Sequence, residues 1–200
     1  MPDRKLLPKN FFRDNEPKSI SLATIVDFAI INMRKEEFNQ ELNDYVTQTL
    51  DADRIRTVSD GRTSIEAANT PEQIIQLMRQ RVDPVNQWIL CGKARSMEEE
   101  LLPSVIQRYK RTLQEDFVES AVRIIGNSDR KYTEELFRDY NAIRLEYARA
   151  MACLLFGEFR IEESVQLLLK EYARFQREDN LKGYEQCPLF ALCLLYGEYS

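Results

Sequence analysis

Carboxylates, cations and tyrosines are the chemistry-bearing side chains that recur at regular spacing in this chain, and histidine is absent altogether. Without an imidazole there is no Ser-His-Asp triad, no Cys-His pair, no histidine metal ligand and no histidine pH switch. General acid–base work would fall to two carboxylates converging in one pocket. The densest acidic face, Glu36, Glu37, Glu41 and Asp44, has the oxygen chemistry of a Mg²⁺ or Ca²⁺ site, but a solvated helix face accounts for the same pattern. The stretch from Asp51 to Asp60 opens like an EF-hand loop. Arg56 then stands where that loop turns on glycine and Arg62 where it needs its last glutamate, which excludes it. The cysteines Cys91, Cys153, Cys187 and Cys193 form no CxxC pair, and all but Cys187 lie in strongly apolar stretches. They read as small buried hydrophobes rather than a zinc site. No GxxxxGK[ST] or GxGxxG motif cradles a phosphate. The expectation is a chain without a cofactor or metal, read as a binding module ahead of an enzyme.

Two further sets have surface readings. Lys93 and Arg95, Arg130 and Lys131, and Arg160 follow apolar segments at corresponding points, and on stacked helices they would line one edge. Such an edge could hold an acidic peptide or a phosphate backbone, although cations also belong at helix C-termini and the acidic residues that follow would neutralise much of the strip. Arg108, Lys110 and Arg111 end another helix in the same way. Tyr109, Tyr140 and Tyr172 could form an aromatic ladder on a concave face, or pack their rings inward and leave the hydroxyls wet.

The elements that must position these residues are helices. Thr70-Pro71-Glu72-Gln73 offers an N-cap hydroxyl, a proline at the first helical position and a capping-box glutamine. Asp83-Pro84 repeats the cap and proline, Ser96-Met97-Glu98-Glu99 reads as a capping box, and Asp116-Phe117-Val118-Glu119 reads as one with Asp as the cap. Leu102, Val105, Ile106 and Tyr109 recur at the spacing of a single buried helix face, as do Val165, Leu168, Leu169 and Tyr172. No run alternates β-branched and polar residues as a strand would. Leu50 to Asn69, with the turn signal Asp60-Gly61, reads as a long loop and a soft boundary.

An internal pattern links the segments that end at Gly92, Gly126, Gly157 and Gly197. The four residues before each glycine are largely apolar: Trp88 to Cys91, Val122 to Ile125 with Arg123 among them, Cys153 to Phe156 and Cys193 to Tyr196. After the first three come a polar loop, a first turn carrying Glu98 to Glu100, Glu134-Glu135 or Glu162-Glu163, and a helix ending at Tyr109, Tyr140 or Tyr172. The glycines are expected to form left-handed C-terminal caps, and Ala121 and Ala152 to let helices approach closely. The glycines lie roughly 30 to 40 residues apart, the period of a helical hairpin that leaves one apolar face for its neighbour.

In Val118 to Gly126 and in Ala148 to Tyr172 the chain resembles the HEAT-like class of helical repeats, over residues 83–200. That resemblance implies a shape, a right-handed array of α-α hairpins, and no activity. Tetratricopeptide repeats compete on Trp88 and Gly92, but Arg95, Asp129 and Arg160 stand where their aromatic should follow. An irregular helical bundle is the plain alternative.

The expected organisation is a flexible arm at 1–18, a helical segment and loop at 19–69, and a helical-repeat domain at 70–200 that could take 19–69 into the same unit. A net charge of −5 opposes a general attraction to nucleic acid or anionic membrane, and no apolar run approaches a membrane span. The expected location is cytoplasmic. The segment Pro188 to Gly197 is apolar nearly all round and reads as the first helix of a fourth unit. It should be sandwiched within the fold or covered by another chain, with Leu192 and Leu195 at a homo-oligomer or partner surface. Protein binding is therefore the leading expectation, nucleic-acid binding along the basic edge the second, and a carboxylate enzyme with a hard metal the third.

Overall fold

The structure, a computed structural model, describes residues 52–196, with side chains from Arg56 onward. The expected arm, the segment 19–50, the acidic face Glu36 to Asp44 and Gly197 lie outside the described residues. Among the described residues nine α-helices follow one another: α1 Ala52–Ala67, α2 Pro71–Met78, α3 Pro84–Arg95, α4 Glu98–Tyr109, α5 Glu115–Gly126, α6 Arg130–Arg138, α7 Glu146–Glu158, α8 Val165–Arg177 and α9 Gln186–Tyr196. Short 3₁₀ turns at Tyr140–Ala142, Glu162–Ser164 and Asp179–Leu181 join the later ones. The fold is all-α, with no strand among the described residues.

Local chemistry explains the starts. Thr70 Oγ1 accepts from Gln73 N at 3.3 Å while Gln73 Oε1 accepts from Thr70 N at 3.1 Å, closing the expected box ahead of Pro71. Asp83 accepts from Val85 N at 3.0 Å, and Asp129, which the pattern did not single out, accepts from Lys131 N at 2.8 Å. The expected caps at Ser96 and Asp116 are not made. Ser96 ends α3, its hydroxyl donating to Lys93 O at 2.7 Å, and Asp116 sits inside the first turn of α5.

The helices pack in sequence. Along one row α1 meets α3, α3 meets α5, α5 meets α7 and α7 meets α9; beside it α2 meets α4 and α4 meets α6. Helix α7, in the middle of this packing, is buried from Ala150 to Gly157 without a break, as an all-round apolar helix should be. Fully buried side chains such as Leu90, Leu102, Ile106 and Phe156 spread the core along the row. Each contributes about 1.5–3 kcal/mol relative to exposure.

Two expectations are overturned here. Most of the expected loop is helical: α1 runs from Ala52 to Ala67, and Gly61 lies within it. A Cβ on Gly61 would fall 2.5 Å from Asn86 Nδ2, the group that donates to Val58 O at 2.9 Å, so the glycine admits a buried amide from α3 rather than making a turn. Nor do Gly92, Gly126 and Gly157 form left-handed caps, for Gly92 and Gly157 lie inside their helices, Gly126 is the last residue of α5, and none has positive φ. The left-handed residue after α7 is Arg160, φ 49°, whose N–H reaches Gly157 O at 3.0 Å. Gly157 serves close packing instead, since a Cβ there would lie 2.5 Å from Ala191 Cα and 2.9 Å from Ala191 O on α9.

Candidate functional site

Of the five basic residues expected along one edge, three are engaged in contacts within the fold. Lys93 Nζ donates to Glu66 O at 3.0 Å and to Asn69 Oδ1 at 3.4 Å, tying α3 to the end of α1. Arg130 pairs with Glu134 at 2.8 Å and Lys131 with Glu99 at 2.6 Å. The hydrogen bond between the last two lowers the Glu99 carboxyl and raises the Lys131 ammonium from their ordinary values. Asp129 N also donates to Glu98 Oε1 at 2.9 Å, so the acidic first turn of α4 is committed to the start of α6. Arg95 and Arg160 remain exposed.

The tyrosines do not form a surface ladder. Tyr109 is fully buried, its hydroxyl donating to Ala148 O at 2.7 Å, and Tyr140 is buried beneath Arg149, whose guanidinium lies 4.6 Å from the ring. A ring that ends an apolar stripe goes inward when a backbone carbonyl is within reach of its hydroxyl. Burial pushes both phenols well above their ordinary range. Tyr172 is half-exposed, its hydroxyl accepting from Gln176 Nε2 at 2.8 Å.

Two carboxylates do converge, which spacing alone had not indicated. Glu171, 2% exposed at its side chain, accepts from Arg149 at 3.2 Å and from Arg174 at 2.7 Å, and Arg174 also donates to Glu146. Each carboxylate faces a guanidinium, an arrangement that holds α7 to α8 and offers neither a free base nor an acid. Among the described residues no group of His, Cys, Asp or Glu could hold a metal ion. Burial raises the Cys153 thiol, and it pushes Cys187 up to about 12, so neither supplies a thiolate near neutral pH.

Helix α9 turns Cys187, Pro188, Ala191 and Leu192 into the core, so Leu192 belongs to the interior rather than to an open surface. Leu195 is half-buried, while Leu189 is 45% and Tyr196 67% exposed. No helix among the described residues is long and apolar enough to cross a membrane.

A different charged surface gathers where α4 and α6 end. Lys110 is 5% exposed, and its Nζ pairs with Asp139 at 2.6 Å while its carbonyl accepts from Arg144 N at 3.1 Å. Around this knot Arg108, Arg111, Arg138 and Arg144 are exposed. Arg108 and Arg111 are legible as a helix-end group, but Arg138 and Arg144 join them only through tertiary contacts. Compared with known proteins, the chain matches no family model, no curated protein and no solved structure.

Proposed function

We propose that the chain is a non-catalytic protein-binding module, built as a HEAT-like right-handed array of α-α hairpins that meets its partners through surface rather than through a reactive centre. The observation that carries this reading is the packing order: α1, α3, α5, α7 and α9 in succession, with α2, α4 and α6 alongside. Hairpins stacked in that way bury one face each against a neighbour and leave a broad lateral surface. The commitment of Glu171, Tyr109, Tyr140 and Lys131 to contacts within the fold supports the same reading. The half-covered α9 is the candidate surface for a second copy, through Leu189, Leu195 and Tyr196.

The test is reconstitution. A polypeptide that co-purifies with the full chain from its native cell is prepared separately and titrated against it by calorimetry. Saturable binding at a fixed stoichiometry is expected. Absence of any such complex, together with retardation of nucleic acid at low salt, would replace this reading with phosphate-backbone binding. For α9, light scattering should give a lower mass for Leu189→Glu than for the unaltered chain; equal monomeric masses reject self-association.

A further inference from the structure

We infer that the ends of α4 and α6, with the chain entering α7, form a docking surface for an acidic, leucine-bearing segment of a partner protein, held by Arg108, Arg111, Arg138 and Arg144 and anchored on Leu113. The inference rests on the protein-binding reading above and specifies the partner's chemistry.

In a chain of net charge −5, these four arginines are all exposed, and none makes an ion pair among the described residues. They are held together by Lys110, whose ammonium and carbonyl bind Asp139 and Arg144 respectively, so that the end of α4, the end of α6 and the approach to α7 keep fixed relative positions. Asp139 is the carboxylate within this knot; it pairs with buried Lys110, and Arg138 lies close enough to act on it as well. The acidic pair Glu115 and Asp116 opens α5 beyond Leu113, and Glu115 lies close enough to Tyr147 and Tyr184 to raise their phenols.

Helix dipoles do not account for the set. Arg108 and Arg138 lie in the last turns of α4 and α6, where cations are favoured. Arg144 instead stands just before the first turn of α7, against the positive end of that dipole. Arginine forks match carboxylates bidentately, a geometry that a dipole partner does not need.

Leu113 selects a peptide over a nucleic acid. It is 73% exposed, the most exposed large hydrophobic side chain among the described residues, and it follows Arg111 by two positions. A phosphate backbone has no use for a leucine among its cations, whereas a peptide carrying both carboxylates and apolar side chains would cover it.

The probe is a fluorescein-labelled peptide of glutamates interrupted by leucines, followed by anisotropy with the full chain near physiological salt. Controls are the same peptide with glutamine for glutamate and a single-stranded oligonucleotide of equal charge. Binding of the acidic peptide alone is expected, weakened roughly tenfold or more by Arg111→Glu with Arg144→Glu and less by Leu113→Ser. Arg95→Glu with Arg160→Glu, exposed arginines outside this set, should leave it unchanged. Arg144→Glu complements the α7 dipole, so a retained thermal melt separates lost binding from lost folding. Failure of the unaltered chain to bind the acidic peptide, or binding indifferent to the double reversal, overturns the inference. So does tighter binding of the oligonucleotide. A reconstituted partner that still binds the doubly reversed chain leaves the protein-binding reading standing while this surface falls.

Discussion

Glu158 and Glu171 show how the same side chain behaves in two environments one helix apart. Glu171 is enclosed by two guanidinium groups, and removing it strands both in a part-buried site. Glu171→Ala should therefore lower unfolding stability by about 3 kcal/mol, read from denaturant titration. A loss below a few tenths of a kcal/mol would show that the arginines find water or Glu146 equally well. Glu158, half-buried at the end of α7, has its carboxyl raised by burial, with Arg160 opposing. A carboxyl raised in the folded state contributes stability while protonated and loses it as pH rises through the folded value. Glu158→Gln should then melt higher than the unaltered chain near neutral pH and at the same temperature below about pH 4. An equal difference at both pH values would rule out titration as the cause. Neither environment could be read from spacing. The sequence distinguishes an acidic first turn from an apolar stripe, but whether Glu171 meets Arg149 depends on how α7 crosses α8, and so does the inward turn of Tyr140.

Helix periodicity was legible because an amphipathic helix writes its buried face at every third or fourth residue, as Leu102, Val105, Ile106 and Tyr109 do. Glycine was less legible, since one residue type serves turns, caps and close contacts. The recurrent glycines suggested caps, and Asp60-Gly61 suggested a loop; helices run through Gly61, Gly92 and Gly157, and α5 ends on Gly126 without a left-handed turn. A matched pair of substitutions separates the roles. At Gly92 a Cβ meets nothing within 4 Å in an exposed helical position, so Gly92→Ala should stabilise the chain by about 0.5–1 kcal/mol through the unfolded state. At Gly157 the same atom would sit 2.9 Å from the backbone oxygen of Ala191 and closer still to its Cα. Helices α7 and α9 would have to part, at about 1–3 kcal/mol or more. Thermal unfolding of the two variants checks both signs, and stabilisation by both would mean that α9 is not seated on α7 as described.

The whole molecule poses the question that periodicity left open, an array of hairpins or a bundle. All-α class follows from the absence of strand patterning together with the caps at Thr70 and Asp83, but repeat and bundle share those local rules. What separates them is how far a local perturbation travels. In an array each unit is stabilised by its immediate neighbours, so weakening one interface loosens that end and leaves the far end protected. In a bundle with one core, protection falls throughout. Gly157→Ala places the perturbation between α7 and α9, while α1 and α3 pack against each other at the opposite end of the row. Hydrogen exchange measured on that variant should therefore show faster opening across α7, α8 and α9 and unchanged protection in α3. A uniform loss of protection across the described helices would assign the chain to a single cooperative bundle. The lateral surface on which a repeat protein meets its partners would then lose its architectural basis.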